Sequence, residues 1–288
     1  MKRRCRQSGY VLLIVLVVLV IATTALTSIA RSCLNRSARA SHLQRGLQIR
    51  WGAIGCQALV LAEPDRILRA HEKAIGEPTP VMRQTIQLGG LDFHLLLGDE
   101  QSKANVNHLT KAGDSAGMVE ALQKLQEELP EPLGIELSNT ESATPLPARG
   151  STKVRSFDQV FRNSHPAKLL GLDNHADSVA GRVTFWTNGR INFRRAHPDV
   201  LKIVLDGVLS HGQVHELLAF REQSPHASVA DAIRHLELSR SESRKLSAHL
   251  TETSSCHSLW VVVEDETRSW YRLYVKIDTA DRSQVFAW

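Results

Sequence analysis

The sequence predicts an α+β protein with three parts: a long N-terminal helix that spans a membrane, an antiparallel sheet, and a mainly helical segment inserted between its strands. Three observations carry this. Residues 7–30 hold no charged side chain, and Val11 to Ala22 are all apolar. Strand-like runs rich in Val, Leu, Trp and Tyr occur near residues 82–97 and 259–277. Between them the apolar positions recur mostly at three- and four-residue spacing, the period of helices packed on one side.

A run of about 20 apolar residues crosses the ~30 Å hydrocarbon core as a helix. Before it stands MKRRCRQSG, a short cationic leader of the kind the inner leaflet retains. Arg31, Arg36 and Arg39 follow the run, so charge asymmetry alone does not settle its orientation. Three readings fit: an ordinary anchor, a secretory signal cut after Ser28-Ile29-Ala30, or a cut between Gly9 and Tyr10 that leaves the helix in place. From Leu43, the residues Leu47, Trp51, Ile54, Ala58 and Leu61 keep helical spacing. This predicts one helix over 10–62, ~80 Å at about 1.5 Å per residue, with a core-facing apolar stripe. A cleaved signal has no reason to continue into such a helix; a retained spine does.

Beyond it, Glu63 to Pro80 holds three prolines and Gly76 and reads as a linker. Met82–Leu88 and Leu91–Leu97 flank Gly89-Gly90, a two-residue hairpin turn. A helix is expected at 117–129 and an exposed loop at 130–150. Short helices follow near 157–161, 198–209, 212–223, 229–236 and 239–250. The last begins with Ser239 and Glu242, a capping box. Strands at 259–264 and 270–277, joined by Asp265-Glu266-Thr267, close the chain. The parts are thus 1–9 leader, 10–62 spine, 63–98 linker and hairpin, 99–255 helical insertion and 256–288 terminal strands.

Composition excludes a general nucleic-acid surface. The net charge is +5, and Lys2, Arg3, Arg4 and Arg6 supply four of those charges within the leader. The four cysteines form no CxxC pair, which excludes a zinc ribbon or thioredoxin motif. Cys33 and Cys56, ~34 Å apart along one helix, cannot pair; Cys56 and Cys256 remain a candidate pair in an oxidising compartment.

A short basic leader, a glycine, an aromatic residue and a long apolar helix resemble the type IV pilin and pseudopilin N-terminus. Three later segments resemble the minor pseudopilin K family of type II secretion systems. Asp99-Glu100-Gln101-Ser102-Lys103-Ala104-Asn105-Val106-Asn107 is similar to its DE-x-G-K-x-N-x-N motif. Gly189-Arg190-Ile191-Asn192 with Ala196-His197-Pro198-Asp199-Val200-Leu201 resembles G-R-I-N-V-N-T-A-P-x-x-V-L. Leu218-Ala219-Phe220-Arg221 through Ser228-Val229-Ala230-Asp231 resembles its I-x-x-x-R…F-x-S-x-x-D helix pair. The resemblance implies a pseudopilin-like sheet carrying a helix-hairpin-helix-like insertion, and a non-enzymatic subunit at the tip of a periplasmic pseudopilus. It further implies peptidase cleavage after Gly9, N-methylation of Tyr10, and membrane packing through Val11, Leu12, Leu13, Ile14, Leu16 and Leu19. The implied partners are the other minor pseudopilins, the major pseudopilin, the prepilin peptidase and inner-membrane lipid, with no nucleic acid. Most pilins carry Glu at the fifth mature position; here it is Ile14, as the K subunit typically lacks that Glu.

The sequence departs from the family in three places. Phe193-Arg194-Arg195 replaces V-N-T, the D-W-x-D segment is missing, and 108–150 is short. Some members bind calcium in acidic loops, whereas Asp173, Asp177, Asp206, Asp265 and Glu266 show no loop-ligand spacing, so no cofactor is assigned. Two competing functions have a motif each. Gly113-Asp114-Ser115-Ala116-Gly117 matches the hydrolase elbow, with Ser115 as nucleophile, but follows a segment too polar for a buried strand. Asp206-Gly207-Val208-Leu209 suggests a DNA-binding hairpin with only one glycine and an acid facing phosphate. His211 and His215 have metal-ligand spacing without the HExxH pattern.

Overall fold

The computed structural model describes residues 8–109, 114–137, 154–162, 164–171, 177–264, 269–279 and 282–287. The chain divides into two compact units, Met1–Gly52 and Ala53–Trp288. Helix α1, Ser8–Val60, provides all the described structure of the first unit and enters the second. It contains no proline, and its membrane-length apolar part tolerates three threonines because their hydroxyls turn back onto the helix. Thr23, Thr24 and Thr27 donate to the carbonyls of Val20, Ile21 and Thr23 at 3.0, 2.9 and 2.7 Å.

The segment expected as a linker is itself largely helical. Helix α2, Pro64–Ile75, starts with proline in its first turn, where the missing N–H costs nothing. It stops at Gly76, whose left-handed backbone (φ 86°) lets its N–H reach the Glu72 carbonyl at 2.8 Å. The prolines that suggested a linker therefore bracket a helix.

The second unit is built on a five-stranded antiparallel sheet in sequential order: β1 Val81–Leu88, β2 Leu91–Asp99, β3 Cys256–Glu264, β4 Ser269–Asp278 and β5 Ser283–Ala287. The hairpin at Gly89-Gly90 forms in the expected register, Leu88 opposite Leu91. The whole segment 100–255 is inserted between the paired strands β2 and β3, with Asp99 opposite His257. The Asp265–Thr267 turn lies outside the described residues, and β5 adds a strand that sequence spacing did not reveal.

Side chains alternate across this sheet. Phe93, Leu95, Leu97, Leu259 and Val261 point to one face, where Ala53, Cys56, Val60, Leu61 and Leu68 from the end of α1 and from α2 are buried. Leu96, Trp260, Val262, Leu273 and Val275 point to the other and join the core of the insertion, with Leu122, Leu170, Leu201 and Leu217. That insertion holds α3 Ser115–Gln126, α4 Pro166–Leu170, α5 Val179–Arg182, α6 Pro198–Val204, α7 His211–Gln223, α8 Val229–His235 and α9 Arg240–His249. Two short parallel ladders tie it back, Ala104–Asn105 to Val183–Thr184 and Ile191–Asn192 to Leu250–Thr251. The capping box at Ser239 and Glu242 is present, and Ser210/Gln213 and Ser228/Asp231 form two more. Most of the expected 130–150 loop lies outside the described residues, although Ile135 bridges Phe161.

Two expectations are corrected. Of the stripe Leu43, Leu47, Trp51, Ile54, Ala58 and Leu61, the first five are exposed and Leu61 is buried. The sheet instead takes Ala53, Cys56 and Val60, whose small leading residues let α1 approach closely. Cys56 and Cys256 are both free thiols. Cys256 sits among the insertion-side residues of β3 and Cys56 on the α1 side, so the sheet itself separates them. Burial pushes both thiols above their ordinary pKa.

Candidate functional site: an exposed apolar helix and a buried polar junction

The residues singled out for membrane packing lie in the first turns of α1. Tyr10, Val11, Leu12, Leu13, Ile14, Leu16 and Leu19 are all exposed, on every side of the helix. Gly9 lies in the same helix, one residue after its start. An apolar helix without a covered face suits lipid or like helices rather than water. Among the described residues α1 alone is long and apolar enough to cross a membrane.

The three motif segments converge elsewhere, in the second unit. Asp99 closes β2 and caps a 3-10 turn at Glu100–Ser102, accepting the Gln101 N–H at 2.9 Å. Its other oxygen accepts Asn192 Nδ2 at 2.8 Å, Arg195 Nη1 at 3.1 Å and the Ser254 hydroxyl. Arg195 is 5% exposed and also grips both Glu72 oxygens, at 2.7 and 3.0 Å, and Asp65 at 2.9 Å. Burial opposes its charge. The hydrogen bonds and charge of Glu72, with Asp99 and Asp65, more than offset this and raise its pKa.

Around this hub, buried Glu100 pairs with Lys103 and accepts from Thr184. Asn105 Nδ2 donates to the Thr187 carbonyl at 2.6 Å. Arg190 donates to the Leu250 carbonyl at 2.7 Å, and Arg221 to the carbonyls of Phe193 and Ala196. Glu252 receives the Val229 N–H at 2.7 Å and pairs with Arg194 at 3.5 Å, tying the third motif to the second. Buried Arg182 holds Asp199 at 2.8 Å, and Lys202 holds its second oxygen at 2.9 Å. Burial raises the Asp199 pKa, but Lys202, His197 and Arg182 together bring it below the ordinary carboxylate value. His257 lies opposite Asp99, and burial depresses its pKa. A cleft of about 560 Å³, lined by Arg69, Glu72, Lys73, Arg194, His226 and Thr253, opens beside Arg195.

Chemically this junction is a fastener. Its buried carboxylates Asp99, Glu100 and Asp199 each face an Arg or Lys, so a charge-paired network joins α2, the sheet and the insertion, while Arg182 Nε and both ring nitrogens of His257 find no hydrogen-bond partner among the described residues. The same pairing makes them poor calcium ligands, since that ion takes six to eight oxygens. Asp177 is likewise next to Arg182, while Asp173, Asp265 and Glu266 lie outside the described residues.

Sequence reasoning located Asp99, Asn192 and Arg221 but missed the hub. Arg195 fell in the stretch that departs from the family motif, and Glu72 in the supposed linker. Their signal was the seven-residue spacing of Asp65 and Glu72, which puts two acids on one helical face.

The competing sites are placed as follows. Asp114, not Ser115, caps α3, its carboxylate accepting the Gly117 N–H at 2.9 Å. Ser115 is an exposed first-turn residue, and in the described part of the segment before it a two-residue strand, Ala104–Asn105, gives way to the 3-10 turn Val106–His108. His211 and His215 are exposed on α7. Gly207 makes the α6–α7 turn with φ 73°, and Asp206 remains exposed in it.

No family model and no curated protein matches this chain. Among solved structures, a chain of the GspK-GspI-GspJ complex from the enterotoxigenic Escherichia coli type 2 secretion system aligns with a TM-score of 0.50 at 14% identity. The alignment covers 87% of this chain and 98% of that one. At this identity the likeness is one of fold: the α+β arrangement recurs over nearly the whole of that chain.

Proposed function

We propose that this chain is a minor pseudopilin of the K type, held in the inner membrane by α1 with its domain in the periplasm, and acting at the tip of a pseudopilus in protein export. The observation that carries the reading is the fold likeness spanning 98% of a chain from a type 2 secretion complex. The uncovered apolar start of α1 supports the anchoring part. On this reading the peptidase cuts between Gly9 and Tyr10 and the new amine is methylated. The 11–30 face then packs with like helices of the major and minor pseudopilins. Ile14 supports the tip position: an unpaired carboxylate in lipid costs several kcal/mol, and a tip subunit has no amine above it to pair with. No catalytic step is assigned to the chain.

Mass spectrometry of the mature protein tests this reading. The expected terminus is N-methyl-Tyr10, lost when Gly9 is replaced by a bulky residue, together with co-purification of other pseudopilins at few copies per rod. A mature terminus at Arg31, or even distribution along sheared filaments at major-subunit abundance, would refute the anchor or the tip position respectively.

A further inference from the structure

The charge of this chain is split between its two ends. Nine of its 35 Lys and Arg, and none of its 30 Asp and Glu, fall in residues 1–62, leaving 26 bases against 30 acids beyond. Arg31, Arg36 and Arg39 stand directly after the apolar run, exposed on α1, and none forms an ion pair among the described residues. The first acid downstream is Glu63, ~36 Å further along at the helical rise.

We propose that this stretch of α1 binds the phosphate of an anionic phospholipid, with Arg31 and Ser28 as its centre. The inference rests on the reading that α1 crosses a membrane. Residues 10–30 cover ~31 Å as a helix, the thickness of the hydrocarbon core, so Arg31 emerges at headgroup depth. Arg36 and Arg39 follow within about 13 Å. Side chains on a helix tilt toward its N-terminus, so both lean back toward the headgroups.

The local surface fits a phosphate. Thr23, Thr24, Thr27, Ser28 and Arg31 line an indentation of about 400 Å³ on one side of α1. The three threonine protons are engaged by backbone carbonyls. Ser28 and Arg31, three residues apart, share a helical face. They offer an O–H donor beside a planar guanidinium fork, a pair that matches phosphate oxygens. An acidic protein partner would face the same charges. Lipid is favoured because the arginines begin at the first residue past the span, where headgroup phosphates are fixed by depth.

The experiment uses the delipidated full-length protein in detergent, offered equimolar phosphatidylcholine and phosphatidylglycerol and read by native mass spectrometry. Phosphatidylglycerol should be retained preferentially, with each arginine near the headgroups contributing up to about fivefold. The preference should collapse in Arg31→Gln/Arg36→Gln/Arg39→Gln and persist in Arg50→Gln, which lies ~30 Å past the span. Equal retention of both lipids would overturn the proposal, as would a preference unchanged in the triple variant. Displacement by inorganic phosphate alone would make the site one for free phosphate and reject the lipid. Normal lipid selectivity with loss of co-purifying pseudopilins in the triple variant would assign the arginines to a protein partner instead. A chain that leaves membranes with a terminus at Arg31 defeats the membrane reading itself, a result distinct from all of these.

Discussion

Replacing Arg195 by Met removes the side chain that, among the described residues, joins Asp65, Glu72 and Asp99, while keeping most of its volume. The three carboxylates then fare differently. Asp65 keeps Arg69 at 2.6 Å and is 28% exposed, and Glu72 keeps the Thr79 N–H at 3.1 Å. Asp99 is fully buried and keeps only neutral donors. Stranding a buried charge in this way costs about 3–5 kcal/mol, and Arg195 and Asp99 are too enclosed for solvent to screen the loss. For a domain of this size that is a fall of roughly 6–20 °C in Tm. Urea unfolding of the full chain in detergent, followed by tryptophan fluorescence, measures it. Adding Asp99→Asn removes the stranded charge, so the double variant should recover about 1–3 kcal/mol of the sum of the single effects. A single-variant loss below about 1 kcal/mol, or strict additivity in the cycle, would refute the account of Arg195 as the hub.

His257 gives a pH signature. Burial, with Arg195 nearby, holds its folded pKa below the ordinary 6.5, against the opposing charges of Asp99, Asp65 and Asp278. The unfolded chain therefore takes the proton first, so stability is full above about pH 6.5 and declines as the pH falls toward the folded value. Unfolding free energies at about pH 7.5 and 5.5 should differ in this sense, and His257→Leu should flatten the slope, leaving the part due to His197, which is also depressed by burial. An unchanged slope would remove His257 from the account. At α3, Asp114→Ala should cost about 1 kcal/mol as a lost cap, whereas Ser115→Ala should stay within about 0.5 kcal/mol and leave export unchanged. Esterase activity of the chain, lost in Ser115→Ala, would restore the hydrolase reading.

Much of the fold was legible because its signals are local. The capping box at Ser239, the Gly89-Gly90 turn and the period of the 198–250 helices each depend on residues a few positions apart, and each appears where the spacing put it. The failures share one cause: they concern which side of an element meets which neighbour. The stripe from Leu43 to Ala58 has the right period for burial, yet the sheet selected the smaller Ala53–Cys56–Val60 side. The prolines at 64, 78 and 80 were read as breaking a segment, although Pro64 starts a helix that carries two of the ligands of Arg195.

By itself the sequence determined the long apolar N-terminal helix, the hairpin and terminal strands around a helical middle, and the order of the motif segments, because hydrophobic period and turn chemistry act within a few residues. Only the tertiary structure decided that Arg195 is the centre of the polar junction, that Cys56 and Cys256 lie on opposite sides of one sheet, and that Ser115 is an exposed first-turn residue. Those outcomes depend on contacts between residues as far apart as Asp65, Asp99 and Arg195, whose pairing is set by strand alternation and helix docking rather than by any spacing along the chain.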